Sequence, residues 1–201
     1  MEPLKRLVET IEEKGLKPSI NLDRPTYIQP EDRIQYRATR IAVILGILNT
    51  KFGLSKNVIA CVDFLLRNDE FQSKFIAEYF KGQRNILDKI SEFKKGRQTE
   101  IDFNIVQYKS VPWDIRFNDM FLYLFMRGFI EYKTDSNNKN IRLKLTETGK
   151  IFFSKIKDVF PTEINFLELF GNRLAEDKTI NIITEVIPNS YWKQNVEIED
   201  K

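Results

Sequence analysis

Between Ser55 and Arg67 the chain runs Lys-Asn-Val-Ile-Ala-Cys-Val-Asp-Phe-Leu-Leu-Arg, and from Val58 to Leu66 it is apolar on every side of a helix except at Asp63. A helix without a polar face has to be packed all round, so this segment belongs at the centre of a fold. Ser55 stands where it can cap that helix. The preceding segment obeys the same constraint. Glu31 to Phe52 reads as a long helix with acids in its first turn, Gly53 just past its end, and Ile34, Ile41, Ile44, Leu45 and Leu48 on one stripe. Below Ile41 it is apolar nearly all round. With 42% apolar residues and 16 Phe, the chain has material for a substantial core around both helices. Asp63 and Arg67, four residues apart, read as an ion pair along one helix. Cys61, the single cysteine, lies in the apolar run and reads as a buried, inert thiol, in keeping with a reducing cytoplasm.

Other elements follow from spacing. Pro3 to Lys14 is a short amphipathic helix ending at Gly15, and Lys17 to Pro30, with three prolines, is an extended arm that either connects or wraps a surface. Helices are expected over Asp69 to Phe80 and Arg84 to Phe93, closed by Gly82 and Gly96. Glu100 to Tyr108 alternates Ile101, Phe103 and Ile105 with polar residues, as a half-buried strand does, until Val111-Pro112-Trp113-Asp114 breaks it. Asp114 can cap the next helix. From Arg116 the order is helix to Arg127, Gly128, strand Phe129 to Lys133, polar turn Thr134 to Asn140, strand Ile141 to Leu145, and helix Glu147 to Val159 with Thr146 as its cap. That order is a winged helix with the hairpin as its wing. Helices near Pro161 to Leu174 and Asp177 to Ile187 are expected to pack back on the body. The fold class is therefore mainly α with a small β hairpin. Its expected parts are a helix and arm over 1–30, a helical subdomain over 31–110, a winged-helix-like subdomain with C-terminal helices over 111–188, and a tail over 189–201.

The chain has no histidine, which removes the usual general base near neutral pH and the commonest zinc ligand. A protein without catalytic residues, metal or cofactor is the expectation. Every hydrophobic stretch is interrupted by charge well before the ~20 residues of a membrane span, so no membrane partner is expected. A net charge of +3 does not imply nucleic acid, although Lys81 to Arg97 holds six bases against Asp88 and Glu92; a solvated helical face explains that run. Asp102 with Gln107 and Lys109 faintly suggests a magnesium nuclease, but the spacing is too short for a turn between two strands. Thr148-Gly149-Lys150 lacks the remainder of a phosphate-binding loop.

A helix-turn-helix reader offers polar or basic residues to the major groove. Here Phe117, Met120, Phe121, Leu124 and Phe125 form the expected buried stripe, leaving Asn118, Asp119, Leu122, Tyr123 and Met126 outside and Arg127 at the end. Asp119, Leu122, Tyr123 and Met126 suit protein better than phosphate. Lys139, Arg142 and Lys144 on the wing keep open a contact with the DNA backbone, and with it the alternative of a DNA-binding winged-helix regulator or DNA-contacting subunit.

Several motifs occur in an order that resembles a known family. Val62 to Arg67, Tyr108-Lys109-Ser110-Val111-Pro112-Trp113-Asp114-Ile115-Arg116-Phe117, Arg127 to Ile130 and Leu145 to Gly149 together resemble the middle component of bacterial ABC three-component systems. That family includes the LmuC-like subunit of Lamassu antiphage defence. The chain departs from the pattern at Val111, where glycine is expected, and at Asn68-Asp69, where a tyrosine-proline pair is expected. The resemblance implies an adaptor that joins an SMC-like or Rad50-like ATPase to an effector, often a nuclease, and restrains it until foreign DNA is sensed. Any DNA contact of its own would be indirect or weak. It carries over to Tyr108, Pro112, Trp113, Asp114 and Arg116, read first as structural. Trp113 would fill the joint between the halves, Asp114 cap the helix and Arg116 pair with an acid; direct partner contact is the alternative.

Overall fold

A computed structural model describes residues 33–82, 105–108, 110–134, 141–189 and 191. The expected N-terminal helix and arm, the helix Arg84 to Phe93, the start of the strand before Ile105, most of Lys81 to Arg97, and the tail after Tyr191 lie outside the described residues, as do Asp102, Lys109 and Lys139.

The central pair is as expected. Helix α1, Ile34–Ile47, lies against α2, Lys56–Arg67, and from Val58 to Leu66 every residue of α2 is buried. The Ser55 hydroxyl accepts the Val58 N–H at 3.2 Å, which caps α2 where the sequence placed the cap. Helix α3, Asp69–Tyr79, follows after one residue, and Asn68 both ends α2 and caps α3 through the Phe71 N–H.

The first correction concerns the end of α1. The helix stops at Ile47, five residues before the expected Phe52, and Gly53 does not cap it. Gly53 has φ +80°, and a Cβ there would stand 2.5 Å from the Leu143 carbonyl oxygen. Glycine is needed because the chain turns hard against a strand to start β1, Leu54–Ser55.

The second correction is the motif taken as a strand breaker. Val111–Asp114 is itself strand β3, antiparallel to β2, Ile105–Tyr108, across a two-residue turn. Pro112 stands opposite Gln107, one step from the pair that closes the turn, where the antiparallel alternation leaves the N–H out of the ladder. Its missing donor therefore costs nothing. Ser110 takes the positive φ of 66° in this turn.

Next come α4, Phe117–Met126, strands β4, Ile130–Thr134, and β5, Ile141–Leu145, and helix α5, Glu147–Ile156, which runs into a short 3-10 turn. Thr146 caps α5 by accepting the Gly149 N–H at 3.0 Å. Gly149 sits directly against the Phe129 carbonyl, with no room for a Cβ, which accounts for the glycine of the Thr-Gly-Lys trio on packing alone. Helices α6, Pro161–Phe170, and α7, Asp177–Val186, complete the body, α6 against α1 and α7 against α3. Phe75, Tyr79 and Phe80 at the end of α3 meet Phe170 of α6 in a cluster of ring contacts of 5.1–5.6 Å. The fold is mainly α with small antiparallel sheets.

The sheet order β1-β5-β4 changes the domain organisation. Strand β1 pairs Leu54 with Leu143 and Ser55 with Arg142, so the three-stranded sheet of the winged helix draws one strand from the segment assigned to the helical subdomain. The described residues of Glu31–Lys201 belong to one compact unit, with β1 and β5 paired across the expected boundary near residue 110. The described elements α1, β1, α2, α4, β4 and β5 follow one another in the order of a winged helix, with α3 and the β2-β3 hairpin between α2 and α4 in the chain.

Candidate functional site

Two features stand out: an ion network at the centre and an apolar face on α4. The network begins with the expected pair. Arg67 Nε lies 3.1 Å from Asp63 Oδ2 within α2, and the cluster then extends well beyond one helix. Arg40 of α1 donates from Nε to Asp63 Oδ1 at 2.8 Å. Arg67 Nη2 reaches Asp114 Oδ2 at 3.3 Å, and Arg37 of α1 pairs with the same carboxylate. The side chains of Arg37, Arg40, Asp63 and Asp114 are all at most 1% exposed, which makes this a ladder tying α1, α2 and β3 together inside the protein.

Asp114 was expected to cap α4, and it does not. Arg116 occupies the N-cap without a side-chain bond, while Asp114 Oδ1 accepts the Arg116 backbone N–H at 2.8 Å, two residues on. The carboxylate is turned inward because two guanidiniums hold it there. Arg116 Nε lies 3.9 Å from the same oxygen, so the acid expected to pair with Arg116 is its own near neighbour. Among the remaining motif residues, Pro112 is buried and Trp113 half-buried. The Trp113 ring meets Phe117 edge-on at 5.2 Å and Tyr108, which is exposed, at 5.5 Å. The motif is a hairpin clamped to the core by Asp114 from one strand.

Arg37 and Arg40 were missed by the sequence reading. A signal was present: counting back from Leu48, Ile44 and Ile41 at helical spacing leads to Arg37 and Arg40 on the buried stripe.

The Cys61 thiol is 1% exposed, and burial pushes it up to about 12. It is expected to resist an alkylating reagent at pH 8 in the native protein and to react at once after denaturation, as followed by mass spectrometry. Rapid native labelling would contradict its placement.

On α4, Phe117, Met120, Phe121 and Leu124 are buried as expected. Phe125 is the exception. It is 48% exposed, its ring 5.4 Å from that of Tyr132 on β4. Leu122 and Met126 are 54% and 78% exposed, and Asp119 is exposed as well. Tyr123, expected to face outward, is half-buried, with the Arg127 guanidinium 5.5 Å from its ring centre. Asp119, Leu122 and Met126 thus lie exposed on α4 while Tyr123 packs partly against the core, and exposed Phe125 and Tyr132 adjoin them.

The wing bases are placed less favourably for phosphate. Arg142 and Lys144 are half-buried, and they donate to the Gly53 and Lys51 carbonyls at 3.3 and 3.4 Å. Both bases fasten β5 to the turn before β1. Among the described residues no group of acids and cysteines is arranged to hold a metal, and no helix is long and apolar enough to cross a membrane. No family model, curated protein or solved structure matches the chain.

Proposed function

We propose that this protein is a non-catalytic adaptor of a bacterial antiphage or anti-plasmid defence complex, holding an SMC-like or Rad50-like ATPase and an effector together in the cytoplasm. The observation that carries the protein-binding part is the outer face of α4. The helix that would present hydrogen-bonding residues to bases in a DNA reader exposes Leu122, Phe125 and Met126. Apolar side chains grouped on one face mark a protein contact. The lack of histidine and the resemblance in motif order support the rest of the reading. The inward-facing Asp114 and buried Pro112 favour a structural role for the shared motif, of which Tyr108 is the exposed member.

The test is co-expression with the co-encoded ATPase and effector. The wild-type chain is expected to co-purify with the ATPase. Leu122→Asp and Met126→Asp are each expected to weaken that association about 30-fold or more, the loss of a buried hot spot, with an unchanged melting temperature. Failure of the wild-type chain to co-purify, or full retention by both variants, ends the adaptor reading.

A further inference from the structure

The charges beside the exposed face of α4 select among partner surfaces. Lys56, the first residue of α2, holds its ammonium 5.4 Å from the Phe121 ring centre and 5.9 Å from that of Tyr132. It therefore stands beside the strip formed by Leu122, Phe125, Met126 and Tyr132. Arg127 closes the C-terminal end of the same helix over Tyr123. Among the described residues neither Lys56 nor Arg127 has a carboxylate partner. Glu131 is taken by Lys133, 3.4 Å away, and points to the opposite side of β4 from Tyr132. The one acid on the outer face of α4 is Asp119, two turns before Arg127.

Resting on the adaptor reading and going beyond it, we infer that this face receives an amphipathic helix from a partner protein, its apolar side laid across α4 and β4 and its flanking acids directed at Lys56 and Arg127. The ring contact between Phe125 and Tyr132 makes the apolar surface continuous from helix to strand, so an occupant meets two elements at once. A second copy of the chain fits less well. The same face on another copy offers one acid, Asp119, to the two bases Lys56 and Arg127. A nucleic acid would leave Leu122 and Met126 against phosphate and sugar. An acidic amphipathic helix satisfies both the apolar strip and the bases.

The experiment uses the full chain and three probes followed by backbone-amide NMR. Two are synthetic helical peptides with an identical leucine stripe, one with glutamates and one with lysines on the polar face; the third is duplex DNA. The glutamate peptide is expected to bind about tenfold more tightly than the lysine peptide, with shifts centred on Leu122, Phe125, Met126 and Tyr132. Met126→Asp should abolish those shifts, and Lys56→Glu combined with Arg127→Glu should reverse the preference. Equal binding of both peptides, binding of neither, shifts centred elsewhere, or a larger response to DNA would overturn the inference. If it fails while Met126→Asp still releases the co-encoded ATPase, the adaptor reading stands and only the acidic helix is lost.

Discussion

Asp63→Ala is expected to lower the unfolding free energy by about 3 to 5 kcal/mol, the cost of removing one member of a buried ion pair. The loss is large because Asp63 receives Arg40 at 2.8 Å and Arg67 at 3.1 Å, both from inside the protein. Without it, two guanidiniums remain buried with less charge to face. Urea unfolding of the variant measures the change. Replacing Arg40 as well, so that Arg40→Met accompanies Asp63→Leu, is expected to recover a good part of it, since a pair removed together leaves fewer orphaned charges. A loss below about 1 kcal/mol for Asp63→Ala would mean that the ladder is solvated like a surface pair.

The same group predicts an acid response. Burial by itself pushes the Asp63 carboxyl up; Arg40, Arg67 and Arg37, with the hydrogen bond from Arg40, outweigh it and hold the group below its ordinary 3.8. The folded state thus binds the proton less readily than the unfolded chain. Its contribution is present above the unfolded value and is lost as pH falls through the folded one. The melting temperature should fall more steeply below about pH 4 in the wild type than in Asp63→Ala.

Phe117→Ala is the second change expected to cost about 3 to 5 kcal/mol. Phe117 is 1% exposed, stacked on Phe121 at 5.6 Å and meeting Trp113 edge-on at 5.2 Å, so its removal opens a cavity between α4 and the hairpin. Trp113→Ala, at a half-buried position, should cost about half as much, because part of that ring already faces water. Thermal unfolding of the two variants compares them directly. Equal losses would make Trp113 a core post. A negligible loss from Phe117→Ala would contradict the packing of α4.

Much of the fold was legible because its signals are local. The apolar run from Val58 to Leu66 required a buried helix, and Ser55 and Thr146 mark helix starts through bonds that span only three residues. The alternation of Ile141, Leu143 and Leu145 marks a strand, although Ile141 at the wing tip is exposed. The outward position of Leu122 and Met126 followed from helical spacing alone. Phe125 was misplaced because the same spacing puts it on the edge of the apolar stripe, and whether an edge is covered depends on where the wing lies. Gly53 was misread for a similar reason: a glycine after a helix suggests a cap, whereas this one is required by a carbonyl 90 residues further along the chain.

What the amino-acid order determined by itself was most of the helices, the caps of α2 and α5, and the outward Leu122 and Met126 on α4, since these depend on neighbours within a few residues. Only the tertiary structure decided that β1 joins the wing sheet and that Val111–Asp114 is a strand. It also decided that Asp114 turns inward to Arg37 and Arg67. Charges so far apart in the chain meet only when the helices pack. An aspartate that would cap a helix in isolation serves instead as the counter-charge of two buried arginines.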